Sequence, residues 1–521
     1  MKKPKRTRST AWKLLVLGGL ATLAIGCGGS DGDSITSTPS SGGGGNVVIP
    51  RTFQFPTFNN NSKLTVVANF QIPDESTNTT GQLSATLSGL SGAIAQAHPL
   101  STLAARADSS AMHPCGFGEA AALAELTKDY NAQARVDPEV RRRFQELEEG
   151  AREEFVIIPA GWQTITAEKV LAPHETQHCT IFAEVRNGAP VIDRTKALMV
   201  AQAFDSNNPQ RPGSGIYEQV RAVFGSEWNQ NPVGGNDGDM KVVIFFFSTQ
   251  TGGAGLFGFT SPADSNPQGG ALSNKGEIIY VNAEKSDYQT LATISHEFQH
   301  LINQNEKTNQ QGLNPSGARE ENLTVNEGLS ELAEEVCGFT LQSGNDLMAT
   351  VCNDYLKKPQ DHKFFNFSET GNGYGQGYLF FKYVREHFGD SVIRSICTNP
   401  ETGLANLNAK LPLGFAETFR RWTIANYATN LTGPVPPMYT YPSGFKTNGT
   451  YPAGSLVGVA TQSIENIQDN ASGAIKPWST RYLVRDGAAG PGLSIEILGA
   501  PNSPFGVLFE ESRGLFSTLQ Q

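Results

Sequence analysis

The stretch SDYQTLATISHEFQHLI, residues 286–302, decides what kind of fold this chain can adopt. Ser286 followed three residues later by Gln289 is a capping box, so a helix is predicted to start there. Leu291, Ile294, Phe298, Leu301 and Ile302 recur at helical spacing and form one apolar stripe. His296 and His300 project away from the centre of that stripe, among Ala292, Thr293 and Asn303, and are expected to face an open cleft. Residues four apart on a helix are neighbours, with Cβ atoms about 5–6 Å apart. That lets both imidazoles share one tetrahedral zinc at about 2.0–2.1 Å. Glu297, the next residue along, would reach a water on such a metal without binding the metal itself.

The same pattern occurs a second time, as His174-Glu175-Thr176-Gln177-His178. Here it follows Pro173 and runs into the alternating text of Cys179–Arg186, with no amphipathic helix around it. In an extended chain, residues four apart stand about 13 Å from each other, too far to share one metal ion. This copy is read as a chance match at a loop-to-strand junction.

The copy at 296–300 has a partner downstream. Asn326-Glu327-Gly328-Leu329-Ser330-Glu331 lies in helical text that reaches Cys337. Glu327, Glu331 and Glu334 share a face at i, i+4 and i+7, and like charges so placed destabilise an isolated helix. A dication, or a histidine between them, would offset that. Glu327 is therefore the expected third ligand, while Glu334 and Glu335 read better as a solvated acidic stripe.

His296-Glu297-x-x-His300 with Asn326-Glu327-x-x-Ser330-Glu331 resembles the gluzincin zinc site of thermolysin-like peptidases. The wider phrasing, EIIYVN before HEFQHLIN and NEGLSELAEE after it, is most similar to the hyicolysin family over about residues 190–425. The resemblance implies an α+β fold: a thermolysin-like zincin catalytic domain, a mixed sheet plus a helical lobe, flanked by β-rich N- and C-terminal regions. It also implies that His296, His300 and Glu327 bind one catalytic Zn2+, that Glu297 is the catalytic base, and that Glu331 hydrogen-bonds His296. Thr324-Val325 stands where family members often carry Trp-Leu, a packing difference that leaves the ligands intact. Tyr374, in YGQGYLFF, resembles the oxyanion-stabilising tyrosine of related enzymes, with Tyr378 and His387 as other candidates for that role. The absence of a Gly-x-Met-Glu-Asn segment favours an endopeptidase over an aminopeptidase. The strand text at 277–282, if it forms a sheet edge, would pair with an extended peptide substrate.

Outward from this centre, residues 241–248 (KVVIFFFS) read as a buried strand, and 193–226 as two helices split by a Pro/Gly-rich stretch. Helices are expected through 286–430. Residues 47–190 read as a β-rich N-terminal region with a helical passage at 118–153, and 431–521 as a small C-terminal β domain. The catalytic domain is accordingly placed at 191–430. The acidic loop at Asn236 and Asp239 could hold Ca2+, but a hairpin turn is the better reading.

The chain has 521 residues with 40 basic and 50 acidic side chains, a net charge of −10 that offers no footprint for nucleic acid. Its densest basic cluster, Lys2 to Lys13, precedes the apolar run 14–25 and reads as a signal peptide over 1–27. That run ends in Leu23-Ala24-Ile25-Gly26-Cys27, close to a lipobox, with Ala24 where Leu is usual. Lipidation of Cys27 would tie the protein to a membrane, with the Gly/Ser-rich residues 28–46 as a flexible tether. With no acidic residue after Cys27, the anchor is expected in the outer membrane where the cell has one. Five cysteines remain beyond Cys27, and an odd number leaves at least one unpaired in a monomer. The expected function is zinc-dependent hydrolysis of protein or peptide substrates. The alternative is a surface-displayed binding or adhesion lipoprotein with an inactive zincin domain, or a domain that zinc only stabilises.

Overall fold

The computed structural model describes residues 63–69, 81–87, 144–157, 163–228, 239–264, 273–309, 320–367, 373–432, 434–463, 474–486, 493–498, 505–510 and 516–519. The signal peptide, Cys27, the tether, Cys115 and residues 236–238 of the acidic loop lie outside them. Among the described residues, no helix is long and apolar enough to cross a membrane.

A mixed sheet carries the centre of the molecule. Its strands are β1 (Arg152–Ile157), β2 (Gln163–Lys169), β3 (Cys179–Arg186), β4 (Val242–Phe247), β5 (Gly258–Thr260) and β6 (Ile278–Asn282), in the spatial order β1-β2-β3-β4-β6-β5. The inner strands β3, β4 and β6 run parallel, while β5 pairs antiparallel with β6 and closes the edge. β4 shows why its text is apolar without interruption. Val242, Ile244 and Phe246 enter the core beneath the helices, and Val243, Phe245 and Phe247 enter a second, aromatic core with Phe144, Phe155, Phe182 and Tyr280. A strand buried on both faces cannot alternate apolar with polar.

Helices α1 (Arg194–Asp205), α2 (Ile216–Phe224) and α3 (Asp287–Gln304) contribute buried side chains to the first core, where Phe298 of α3 packs on Phe204 and Tyr217. Then come α4 (Leu323–Val336), α5 (Asp346–Lys357), α6 (Tyr374–Phe388) and α7 (Gly414–Ala428).

Three expectations about organisation are corrected. Strands β1–β3, assigned to an N-terminal region ending at 190, belong to the same sheet as β4 and β6. The helical passage does not reach 153, because Arg152 already pairs with Glu168 in the sheet. The β-rich ends of the chain are not separate units either. Lys63–Asn69 lies between Thr480–Asp486 and Phe505–Glu510, and Gly81–Leu87 lies between Ala474–Ile475 and Leu493–Leu498. These are two sheets, and Val67 and Asn69 tie the first of them to α7, through the cluster around Ile424 and Tyr427 and a hydrogen bond from Asn69 Nδ2 to Thr423 Oγ1 of 3.0 Å.

Candidate metal centre

The helix that carries the centre starts where its sequence says it should. Ser286 Oγ accepts from the Gln289 backbone N–H, the Gln289 side chain returns to the Ser286 backbone, and α3 runs to Gln304. From Thr290 to Asn303 every residue is buried, which corrects the expected open cleft: His296 is 0% and His300 3% exposed. The polar face of α3 meets α4 rather than solvent, so it is polar to serve a buried site.

α4 brings Glu327 between the two imidazoles. His296 Nε2 lies 3.2 Å from Glu327 Oε2, and His300 Nε2 lies 3.6 Å from the same atom. Donors held at about 2.0–2.1 Å around a tetrahedral ion stand roughly 3.4 Å apart, so this spacing suits one zinc. The carboxylates are also short of partners. Glu327 Oε1 and both oxygens of Glu297 are buried with no hydrogen bond among the described residues. Stripping water from such oxygens is costly unless something else satisfies them, and a metal ion held by Glu327, with a water beside Glu297, would do so.

The acid–base state follows from the same packing. Burial raises the Glu297 carboxyl to about 7, against the pull of His300 and His296. Burial also works to raise Glu327, but the His300 charge and hydrogen bonds from both histidines win and hold it at about 2. Burial disfavours the His296 cation, yet hydrogen bonds to Glu327 and Glu334 push its pKa well above the ordinary value. A divalent ion would take the place of that proton.

Each imidazole is held from behind. His300 Nδ1 lies 3.0 Å from Ser330 Oγ and 3.2 Å from Asn326 Oδ1. Ser330 spends its own hydrogen on Gln299 Oε1, and Asn303 Nδ2 donates to Asn326 Oδ1, so both partners accept from Nδ1–H. The proton is thereby kept on Nδ1, and Nε2 faces the metal position. His296 Nδ1 lies 3.1 Å from Glu334 Oε1 and 3.9 Å from Glu331 Oε1. The hydrogen bond expected from Glu331 is therefore made by Glu334, which is buried and not part of a solvated stripe. Glu335 is only partly exposed, and its oxygens accept from Tyr378 and Lys382. Burial, with the Glu334 charge beside it, pushes the Glu331 carboxyl well above its usual range. The spacing of Glu327, Glu331 and Glu334 placed all three on one face, but it did not rank them. The Asn326, Ser330, Gln299 and Asn303 contacts were not anticipated, although Asn326 and Ser330 stand within the Asn-Glu-x-x-Ser text.

The three oxyanion candidates separate cleanly. The Tyr374 ring centre is 6.5 Å from that of His296. Tyr378 donates to Glu335 Oε2 at 2.5 Å, and His387 Nε2 donates to the Thr440 carbonyl at 2.9 Å, so both are engaged elsewhere. Tyr374 owes its place to a tight crossing of α6 over α4. A Cβ on Gly377 would lie 2.6 Å from the Thr324 carbonyl oxygen and 2.8 Å from the Gly328 Cα.

The sheet edge beside the centre is β5, not 277–282, whose strand β6 is flanked on both sides. A Cβ on Gly258 of β5 would lie 2.4 Å from Thr293 Cγ2 and 3.2 Å from Glu297 Cγ, so this glycine lets the edge strand press against the Glu297 turn of α3. Among the described residues, the copy at His174 and His178 joins no group of converging donors. Among the described residues, the donor groups that converge are His296, His300 and Glu327, and beside them His296, Glu331 and Glu334. Asp239 Oδ1 accepts from the Lys241 backbone, a local turn contact. Cys179, Cys337, Cys352 and Cys397 are all buried free thiols.

Residues 238–326 match the family Peptidase_M78, described as the IrrE N-terminal-like domain. The matched segment spans β4 to β6, all of α3 and the start of α4, and stops one residue before Glu327. It gives this part of the chain a zinc-metallopeptidase-like fold and marks a peptidase-like domain. No curated protein matches the chain.

Proposed function

We propose that this chain is a zinc-dependent endopeptidase of the gluzincin type, acting on extracellular or envelope proteins. The observation that carries the reading is the convergence of His296 and His300 on Glu327 Oε2, at 3.2 and 3.6 Å, beside a Glu297 whose oxygens have no hydrogen-bond partner among the described residues. Zinc bound there supplies a Lewis acid for the scissile carbonyl and lowers the pKa of a ligated water towards about 7. Glu297, with its carboxyl near 7, takes a proton from the attacking water and returns it to the leaving amine. Tyr374 donates its phenolic hydrogen to the developing oxyanion. Strand β5 offers its outer edge to an extended peptide, placing the scissile bond along α3.

The test is metal content together with casein or peptide cleavage, with a chelator control and Glu297→Gln. Loss of cleavage with zinc retained supports hydrolysis by this centre, and undiminished cleavage by Glu297→Gln sinks it. Burial of the centre favours one other reading, a regulatory or surface-binding protein whose zinc domain is not catalytic. That reading requires Glu297→Gln to leave the biological function intact. The lipobox-like text 23–27 supports export and lipid anchoring at Cys27. Metabolic labelling with a radioactive fatty acid, abolished by Cys27→Ser, is the expected outcome. Labelling that survives Cys27→Ser overturns it.

A further inference from the structure

We propose that Glu334, clamped by Asn345, is the positioning residue that fixes His296 for the metal, in the place the resemblance to gluzincins implies for Glu331. The inference rests on the zinc reading of His296, His300 and Glu327, and it concerns a part of the molecule outside that triad. The two oxygens of Glu334 are used in opposite directions. Oε1 meets His296 Nδ1 at 3.1 Å, and Oε2 accepts from Asn345 Nδ2 at 2.7 Å. Asn345 is itself immobilised. It is the N-cap of α5, its Oδ1 accepting from the Met348 backbone N–H at 3.1 Å, and its Nδ2 also reaches the Phe339 carbonyl at 3.2 Å. The chain thus links the start of one helix to the orientation of an imidazole on another.

Chemistry and geometry both separate the two acids. An ionised carboxylate only accepts, so contact with Glu334 Oε1 puts the hydrogen on Nδ1 and leaves the Nε2 lone pair towards Glu327. At 3.9 Å Glu331 Oε1 is beyond hydrogen-bond reach of that atom. The two histidines are therefore backed unequally: His300 by an amide oxygen and a hydroxyl, His296 by a carboxylate. A carboxylate behind a ligating imidazole raises its basicity, and removing such a partner typically costs about 10–100-fold in metal affinity.

The experiment is zinc affinity of the full chain by competition with a chromophoric chelator, paired with the visible spectrum of the cobalt-substituted protein. Glu334→Ala is expected to weaken zinc about 10–100-fold and to alter the cobalt spectrum. Glu331→Ala should leave both nearly unchanged. Glu334→Gln keeps an oxygen for Nδ1–H but turns an NH2 towards the Asn345 Nδ2 donor, so its affinity should fall between those of the unaltered chain and Glu334→Ala, and it serves as the readout if Glu334→Ala does not fold. Asn345→Asp keeps the helix cap but turns a donor into a repelling carboxylate, and it should weaken zinc as well. A larger loss in Glu331→Ala than in Glu334→Ala, or unchanged affinity in Glu334→Ala, overturns the assignment. So does a stoichiometry of two metals per chain, which would make His296, Glu331 and Glu334 ligands of a second ion. Failure of the underlying zinc reading looks different: the unaltered chain would then bind no zinc, or bind it equally well after His300→Ala.

Discussion

His174–His178 and His296–His300 spell the same pattern, yet they hold opposite places in the molecule. The copy at 296–300 lies on a helix of eighteen residues, where a four-residue step returns to the same face. The copy at 174–178 begins in a three-residue turn, Pro173–Glu175, after which Thr176 is extended with φ −130° and ψ 146°. Its side chains have dispersed to structural work. Glu175 accepts from Arg194 and the Ala172 backbone, and the His178 ring stacks on Tyr217 at 4.0 Å. Even the acid–base behaviour diverges: burial lowers the His178 pKa, whereas Glu327 and Glu334 overcome burial to raise that of His296. A motif has chemical meaning only with the backbone period that brings its ends together.

The largest expected effects come from breaking the helical copy. His296→Ala, His300→Ala or Glu327→Ala should abolish stoichiometric zinc and all peptide cleavage, measured by metal analysis and a fluorogenic peptide. His174→Ala should leave one zinc per chain and full activity. Zinc lost on changing 174 would restore the first copy as a metal site. Next, Glu297→Gln should lower turnover by about 10²–10⁴-fold with zinc retained, while Glu175→Gln, its counterpart, should leave turnover unchanged.

Smaller effects test the surroundings. Gly377→Ala would force α6 away from Thr324 and Gly328, and overpacking of this kind costs about 1–3 kcal/mol. Denaturant unfolding should show that loss, with turnover falling more than zinc affinity if Tyr374 acts on the oxyanion. His178→Ala should cost about 1 kcal/mol through the lost ring stacking, with zinc unaffected. The smallest effect concerns pH. The folded-state pKa of His178 is depressed, so its share of stability is full above the ordinary value of 6.5 and is lost as pH falls below it. Thermal midpoints of the unaltered chain should fall further than those of His178→Phe between pH 7 and 5.

Much of the centre was legible because its signals are local. The Ser286–Gln289 box, the stripe from Leu291 to Ile302 and the spacing of 296, 297 and 300 lie within one helix, and each matches what the structure adopts. Strands β4 and β6 were equally plain from their apolar runs. Apart from the end of the helical passage, where Arg152 already stands in β1, the differences involve distance along the chain. Residues 277–282 do form a strand, but no local feature tells an inner strand from an edge, and the short GFT segment at 258–260 takes the edge instead. The polar face of α3 reads as a solvent face in the sequence, and α4 covers it. The end regions were read as two β domains because the pairing of Lys63–Asn69 with Thr480–Asp486 leaves no trace in either strand alone.

The sequence by itself determined a capped, amphipathic helix bearing two histidines one turn apart and a glutamate beside the first of them. Those features depend on residues within a few turns of one another, where backbone geometry is regular. Only the tertiary structure decided which carboxylate backs His296, which strand lies beside Glu297, and that the whole centre is buried. Glu331 and Glu334 share one face of one helix and differ at Nδ1 by 3.9 against 3.1 Å, a margin set by how α4 packs on α3 and by Asn345 arriving from another helix. Differences that small arise from packing between distant segments, and no periodicity in the chain encodes them.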